Sequence, residues 1–195
     1  MTLEELANKV ERCYRCSLSE TRTNVVFGRG SESAAIMFIG EGPGADEDKQ
    51  GLPFVGRSGQ LLDRMMTDVE MPLDDIYICN IVKCRPPGNR LPNPVEIEAC
   101  RPFWREQIKI ICPQIIVCLG ALATQMLLGA DARITKERGH WVQKGDFLIM
   151  PTFHPAAILR DENKKKDVYA DFREVKNKYW ALQGLAADVA AWPPK

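Results

Sequence analysis

The sequence predicts an α/β fold: one domain with three αβα layers around a central, mainly parallel four-stranded sheet. Three observations lead there. Four short runs, Ala35–Ile39, Ile76–Val82, Ile115–Leu119 and Phe147–Met150, are almost continuously apolar, as strands buried on both faces are. Helix-start signals and helical spacing fill the segments between them, the alternation that places helices on both faces of a parallel sheet. The sharpest loop signals, Gly40 to Gly44, Asn80 and His154-Pro155, fall at or near the carboxyl ends of those runs, where open α/β sheets carry their sites.

Thr2 and Glu5 form a capping-box pattern that opens a short helix to about Arg12, with Leu3, Leu6 and Val10 at helical spacing. The first strand ends in the Gly-rich loop. A helix carrying Leu61, Leu62, Met65 and Met66 follows it. The second strand leads into the Pro-rich loop Arg85 to Pro92, after which Asn93 as N-cap, Pro94 at the first helical position and Glu96 start another helix. Gly120 separates the third strand from a helix near Ala121 to Leu128. The fourth strand runs into Pro151-Thr152-Phe153-His154-Pro155, and residues 184–195 read as an Ala-rich, Pro-terminated tail.

A chain of 195 residues with 45% apolar content suits a single domain spanning 1–195 that buries its own core. The apolar runs stop well short of the roughly 18 to 20 residues of a membrane span, so no membrane association is expected. The acidic start Met1-Thr2-Leu3-Glu4-Glu5 lacks a secretory pattern, which predicts an intracellular protein. Formal net charge is zero, so any nucleic-acid footprint must be a local patch. Seven cysteines in a reducing compartment point to metal rather than disulfides. Cys13 and Cys16 form a C-x-x-C pair; Cys84 lies just outside the second strand and Cys100 in the next helix, with fifteen residues between them. Spacing alone leaves an iron–sulfur cluster, zinc and no metal open, although zinc more often shows two close pairs. Cys79, Cys112 and Cys118 read as small buried apolar residues in strand-like surroundings.

Gly40-Glu41-Gly42-Pro43-Gly44 is not a dinucleotide fingerprint. Pro43 removes a backbone donor, Ala45 replaces the third glycine, and Asp46-Glu47-Asp48 repels a pyrophosphate. Gly40 to Asp48, then Gly51-Leu52-Pro53-Phe54-Val55-Gly56-Arg57-Ser58-Gly59, then Asn80, then Phe153-His154-Pro155-Ala156-Ala157 instead resemble the family 4 uracil-DNA glycosylases, over about Cys13 to Tyr179. The resemblance implies a monofunctional N-glycosyl hydrolase of base excision repair. It also implies a [4Fe-4S] cluster on Cys13, Cys16, Cys84 and Cys100 that ties the segment 1–30 to the rest.

That resemblance makes chemical sense of the residue types. Cleaving the bond between C1′ and N1 of deoxyuridine leaves positive charge on the sugar and negative charge on the base, so an anion and a hydrogen-bond donor are both needed. Glu41 suits the first task, orienting water and stabilising the sugar; its alternative is a loop carboxylate that binds backbone amides. His154 suits the second, donating to uracil O2, with Pro155 fixing its loop and His140 read as structural or superficial. Asn80 can accept from uracil N3–H and donate to O4, a pattern cytosine reverses. Phe54 is expected to stack on the base, the resemblance implies that Glu47 crowds its C5 edge against thymine, and Gly40 and Gly42 are expected to complete the pocket. Where family 1 enzymes carry a catalytic Asp and a thymine-barring Tyr, Gly42 and Gly44 stand here. No histidine lies in Arg85 to Leu91, which disfavours the branch that links covalently to DNA.

DNA contact is expected from Lys83, Arg85, Arg90, Arg160 and the run Lys164-Lys165-Lys166, with Leu159 or Arg160 filling the gap left by the flipped base. The partner is uracil-containing DNA, single- or double-stranded, with uracil as product and the protein a monomer. The rival readings are a non-catalytic iron–sulfur module that binds DNA or a polymerase, and a zinc-stabilised nucleotide hydrolase. The intact set Glu41, Asn80 and His154 speaks against the first, and the lack of a phosphate-cradling motif against the second.

Overall fold

A computed structural model describes residues 1–184, so the tail from Leu185 onward lies outside the described residues. Helix α1 (Leu3–Glu11) starts at the expected box: the Thr2 hydroxyl accepts from the Glu5 amide at 3.1 Å, and the Glu5 carboxylate accepts from the Thr2 amide at 2.9 Å. A one-turn helix α2 (Leu18–Thr21) and a two-residue strand β1 (Arg29–Gly30) lead to β2 (Ile36–Gly40). Then come α3 (Ala45–Gln50), α4 (Arg57–Asp68), β3 (Ile76–Asn80), α5 (Pro94–Ile111), β4 (Ile115–Leu119) and α6 (Ala121–Leu128). The chain continues through α7 (Ile134–Glu137), β5 (Val142–Lys144), β6 (Phe147–Thr152) and α8 (Pro155–Arg160) to α9 (Lys165–Leu182).

The sheet order is β1-β3-β2-β4-β6-β5. The four expected strands form its parallel centre, β3-β2-β4-β6, and the correction is to the count. Two short antiparallel strands, β1 on β3 and β5 on β6, close the edges. Arg29-Gly30 and Val142-Gln143-Lys144 carry no apolar run because edge strands are half solvated, and short, charged edges also discourage pairing with other chains.

Side chains alternate across the sheet as a period of two requires. Met37, Ile39, Tyr77, Cys79, Ile116, Cys118 and Ile149 face one core beneath α1, α5 and α6. Ile36, Phe38, Ile76, Ile78, Val117 and Met150 face the other, beneath α4, α8 and α9. Helix α9 buries Val168, Asp171, Phe172, Val175 and Tyr179, a stripe at helical spacing. Helix α5 begins as expected, with Asn93 Oδ1 accepting from the Glu96 amide at 2.9 Å and Pro94 at the first position. Cys112, expected among buried apolar residues, is instead the exposed left-handed C-cap of α5, with φ of 50°. Cys79 and Cys118 are fully buried in strands as expected.

Candidate active site

The carboxyl ends of β2, β3, β4 and β6 open into a cleft whose lining includes Glu41, Gly42, Glu47, Phe54, Asn80 and His154. Strand order reverses on either side of β2, and that is where a doubly wound sheet leaves a crevice. Gly40 and Asn80 are register partners at the ends of neighbouring parallel strands. A Cβ on Gly40 would lie 2.5 Å from Asn80 Oδ1 and 2.6 Å from Phe54 Cζ, so the missing side chain lets the amide and the ring meet over the strand end. Phe54 is buried and holds φ of 55°, a left-handed conformation that costs a non-glycine residue about 1 kcal/mol. Its backbone presses on Gly59 of α4, where a Cβ would meet the Phe54 carbonyl at 2.0 Å.

Asn80 is 1% exposed, and its Oδ1 is buried without a hydrogen-bond partner. Such an atom normally costs about 1 to 3 kcal/mol, so an acceptor left open in a cleft wall is a position made for an outside donor. His154 stands across from it as the N-cap of α8. Its Nδ1 accepts from the Ala156 amide at 3.1 Å, which assigns the ring proton to Nε2. Its ring lies 5.5 Å from that of Phe54 at an interplanar angle of 27°. Burial, and then the nearby Arg160 cation, lower its pKa to about 4, against a smaller opposing effect of Glu47. The imidazole is therefore a neutral N–H donor at physiological pH.

Glu41 and Glu47 have different surroundings. Glu47 is the buried one that holds backbone amides: Oε1 accepts from Val55 at 2.9 Å and Gly56 at 2.8 Å, and Oε2 from Gly44 at 3.1 Å. It clips the Gly-rich loop to the loop that bears Phe54. Glu41 has no side-chain hydrogen bond among the described residues, and burial raises its pKa while Arg160 lowers it.

Residues absent from the expected set support the histidine loop. Thr152 Oγ1 donates to Asp171 Oδ2 at 2.6 Å, and the same carboxylate takes two bonds from Arg138, at 2.5 and 3.2 Å. Phe153 lies between two cations, with Arg138 5.8 Å and Lys164 5.7 Å from its ring centre. The buried stripe of α9, with an Asp among apolar residues, was the available signal for this support.

Cys13, Cys16, Cys84 and Cys100 line one cavity with Lys83 and Phe103. Among the described residues, no three His, Cys, Asp or Glu side chains converge on the position of a single ion. Four thiols lining one cavity are the donor set that an iron–sulfur cluster takes. Burial pushes the Cys100 thiol up to about 11. Arg22 brackets the group, donating to Cys84 Sγ at 3.3 Å and to the Cys13 carbonyl at 2.8 Å.

The family model described as Uracil DNA glycosylase superfamily matches residues 27–181. The chain belongs to that superfamily. The type-4 uracil-DNA glycosylase of Thermotoga maritima is 44% identical over 90% of this chain and 93% of its own length. That of Archaeoglobus fulgidus is 36% identical over 89% of this chain and 92% of its own. A DNA polymerase of Bacillus phage SP01 is 32% identical over 80% of this chain, but over only 16% of its own length.

In this superfamily member the cationic residues form no uniform surface. Arg160 and Lys164 line the cleft and Leu159 beside them is 47% exposed, while Lys165 and Lys166 are exposed on the first turn of α9. Arg85 is half-buried, its Nε held at 2.7 Å by Asn89 Oδ1. Arg90 lines the cleft but forks onto buried Glu96 with bonds of 2.7 and 2.8 Å, which fixes the Pro-rich loop to α5. Lys83 is a correction. It is 1% exposed and turned into the core, with its Nζ donating to the Asn80 carbonyl and to Gln107 Oε1. No helix among the described residues is long and apolar enough to cross a membrane.

Proposed function

We propose that this chain is a uracil-DNA glycosylase that takes a uracil nucleotide flipped out of DNA into the cleft and hydrolyses its N-glycosidic bond, leaving an abasic site. The observation that carries this reading is the unpartnered, buried Oδ1 of Asn80 in one wall with the neutral His154. Uracil N3–H satisfies that acceptor and the same amide donates to O4. The His154 Nε2–H meets O2, where negative charge gathers as the bond to N1 breaks. Phe54 offers its ring to the base plane, and Gly40 keeps the amide and ring in contact range.

Glu41, whose carboxylate is uncommitted, orients the attacking water and stabilises the cationic sugar. Glu47 acts through the loop it clips, so its effect on the C5 edge is exerted by the position of that loop and of its own buried stem. Leu159 enters the space vacated by the base, and Arg160, Lys164, Lys165, Lys166 and Arg85 take phosphates. Arg90 contributes by holding its loop. Cys13, Cys16, Cys84 and Cys100 hold a [4Fe-4S] cluster, which supplies a cross-link between the segment 1–30 and α5 rather than a reacting centre. The type-4 uracil-DNA glycosylase names of the relatives at 36–44% identity support the activity.

The test is release of free uracil from a single-uracil oligonucleotide by purified protein, read as alkali-labile breaks, with Asn80→Asp alongside. The wild type is expected to cut at uracil and to spare cytosine. Asn80→Asp is expected to be far slower on uracil and to gain weak cytosine release, since an ionised carboxylate accepts from the cytosine amine. A wild-type protein inactive on uracil in both single and double strands refutes the reading.

A further inference from the structure

Helix α9 turns an apolar stripe to the sheet, and one residue in it is a carboxylate: Asp171, 2% exposed, among Val168, Phe172 and Val175. Three bonds converge on it. Thr152 Oγ1 donates to Oδ2 at 2.6 Å, and Arg138, which follows α7, donates from Nε at 3.2 Å and from Nη2 at 2.5 Å. Arg138 is in turn held to α9, donating to the Asp167 carbonyl at 3.3 Å. Thr152 is fully buried at the end of β6 and is bound at its backbone too, because its carbonyl accepts from the Gly120 amide at 2.9 Å. Beside it, the Pro151 carbonyl accepts from the Gly139 amide at 3.0 Å. The ends of β4 and β6, the turn after α7 and the middle of α9 are thus tied together two residues before His154. Gly120 also abuts the histidine directly, since a Cβ there would lie 3.1 Å from His154 Cβ.

We propose that Asp171 is a positioning residue for base release: by gripping Thr152 from α9 it fixes the end of β6, and with it the reach of the His154 imidazole into the cleft. The inference rests on the reading of His154 as the donor to uracil O2. Stability alone does not call for a carboxylate here, because a buried ion pair gives back in desolvation much of what it gains, and apolar residues of similar volume often serve a core as well. An apolar side chain at 171 would pack against Thr152 without direction, whereas the hydrogen bond sets a length and an angle. The bond from the Ala156 amide to His154 Nδ1 sets the rotation of the ring, but it lies within the same loop and moves with it. The seat of that loop on the sheet is left to Thr152 and its partners. Arg138 supplies the counter-charge that keeps a carboxylate in the stripe.

The test is a double-mutant cycle in the full chain. Thr152→Val keeps the shape of the side chain and removes the donor to Asp171; Thr152→Ser keeps the donor. Each is made alone and together with His154→Ala, and single-turnover uracil release is measured with DNA saturating, alongside DNA affinity and melting temperature. Thr152→Val alone is expected to lose about 10- to 100-fold in rate with DNA affinity unchanged, as slight misplacement of a reacting group costs. Thr152→Ser is expected to restore most of that rate. In the His154→Ala background the same Thr152→Val change is expected to cost little more, because the group it positions is already gone. Asp171→Asn, which takes the charge from Arg138 and leaves one oxygen for Thr152, enters the same cycle if Thr152→Val does not fold, with the same pattern expected. A wild-type rate in the folded variant overturns the proposal. So does an equal loss with and without His154, which marks a general contribution to the fold. A wild type that ignores uracil, or a fully active His154→Ala enzyme, overturns the reading of His154 itself.

Discussion

Gly40→Ala isolates the geometry of the base pocket in one methyl group. Gly40 is in ordinary strand conformation in β2, so alanine there meets no backbone penalty and the whole effect comes from contact. The new Cβ falls 2.5 Å from Asn80 Oδ1 and 2.6 Å from Phe54 Cζ, distances that real Cβ atoms do not sustain. Restoring normal van der Waals separation displaces the amide and the ring by about 1 Å in all, and overpacking of that kind costs about 1 to 3 kcal/mol of stability. The same displacement takes the reader out of line with uracil, and a misplacement of about 1 Å costs about 10²-fold in rate. Single-turnover release from a uracil oligonucleotide, with melting temperature measured in parallel, separates the two effects. Gly145→Ala is the control. It lies in the β5–β6 turn with φ of 59° and nothing within 4 Å of a Cβ, so it strains the backbone by about 1 kcal/mol away from the cleft. The control is expected to lose stability and keep its rate. A folded Gly40→Ala enzyme with wild-type rate and wild-type rejection of cytosine refutes the crowding argument and the place of Asn80 in it.

His154→Ala is expected to lose about 10²- to 10³-fold in single-turnover cleavage with little change in DNA affinity, because a preorganised donor to the leaving base is removed. Because His154 folds with its pKa lowered from 6.5 to about 4, the native state binds fewer protons than the unfolded chain between those values. The stability this contributes is complete above about pH 6.5 and lost as pH falls towards 4; His154→Asn should flatten that part of a melting-temperature profile. Cys100→Ser is expected to lower iron and acid-labile sulfide together and to reduce the melting temperature, with full iron content as the contrary result. Arg160→Gln is expected to move the acid limb of the pH–rate profile upward, a shift absent if the arginine serves only as a phosphate contact.

The parallel sheet was legible because strands buried on both faces must be apolar throughout, and four such runs stand out between helix signals. The edge strands were not, since two or three half-solvated residues carry no period. Helix α9 is not among the elements read from the sequence, where Lys164-Lys165-Lys166 stood as a DNA contact, although the stripe from Val168 to Tyr179 that follows is buried. In the cleft, chemistry identified Glu41 and Glu47 as the candidate carboxylates, but not which one the backbone claims. That choice depends on the amides of Val55 and Gly56, whose position relative to Glu47 is set by the turn through Phe54. Lys83 is expected at the DNA together with Arg85 and Arg90, but the bend at residues 81–84 after β3 buries it, and no sequence period marks that bend.

One residue, Arg160, adjusts both titrating groups of the proposed chemistry in the useful direction. Glu41 must be ionised to favour positive charge on the sugar, yet burial works against its ionisation; Arg160 opposes that effect. His154 must stay neutral to donate one well-placed proton without carrying a net charge, and the same cation disfavours its protonation in addition to burial. A lysine or arginine placed only to bind phosphate would have no reason to reach both groups. In Arg160→Gln, Glu41 protonates at higher pH and His154 also becomes easier to protonate, so both changes remove active enzyme from the acid side. The variant should therefore lose more activity at pH 5 than at pH 8 when DNA is saturating. A uniform loss at every pH, recovered by raising the DNA concentration, would instead leave Arg160 with a role in binding alone.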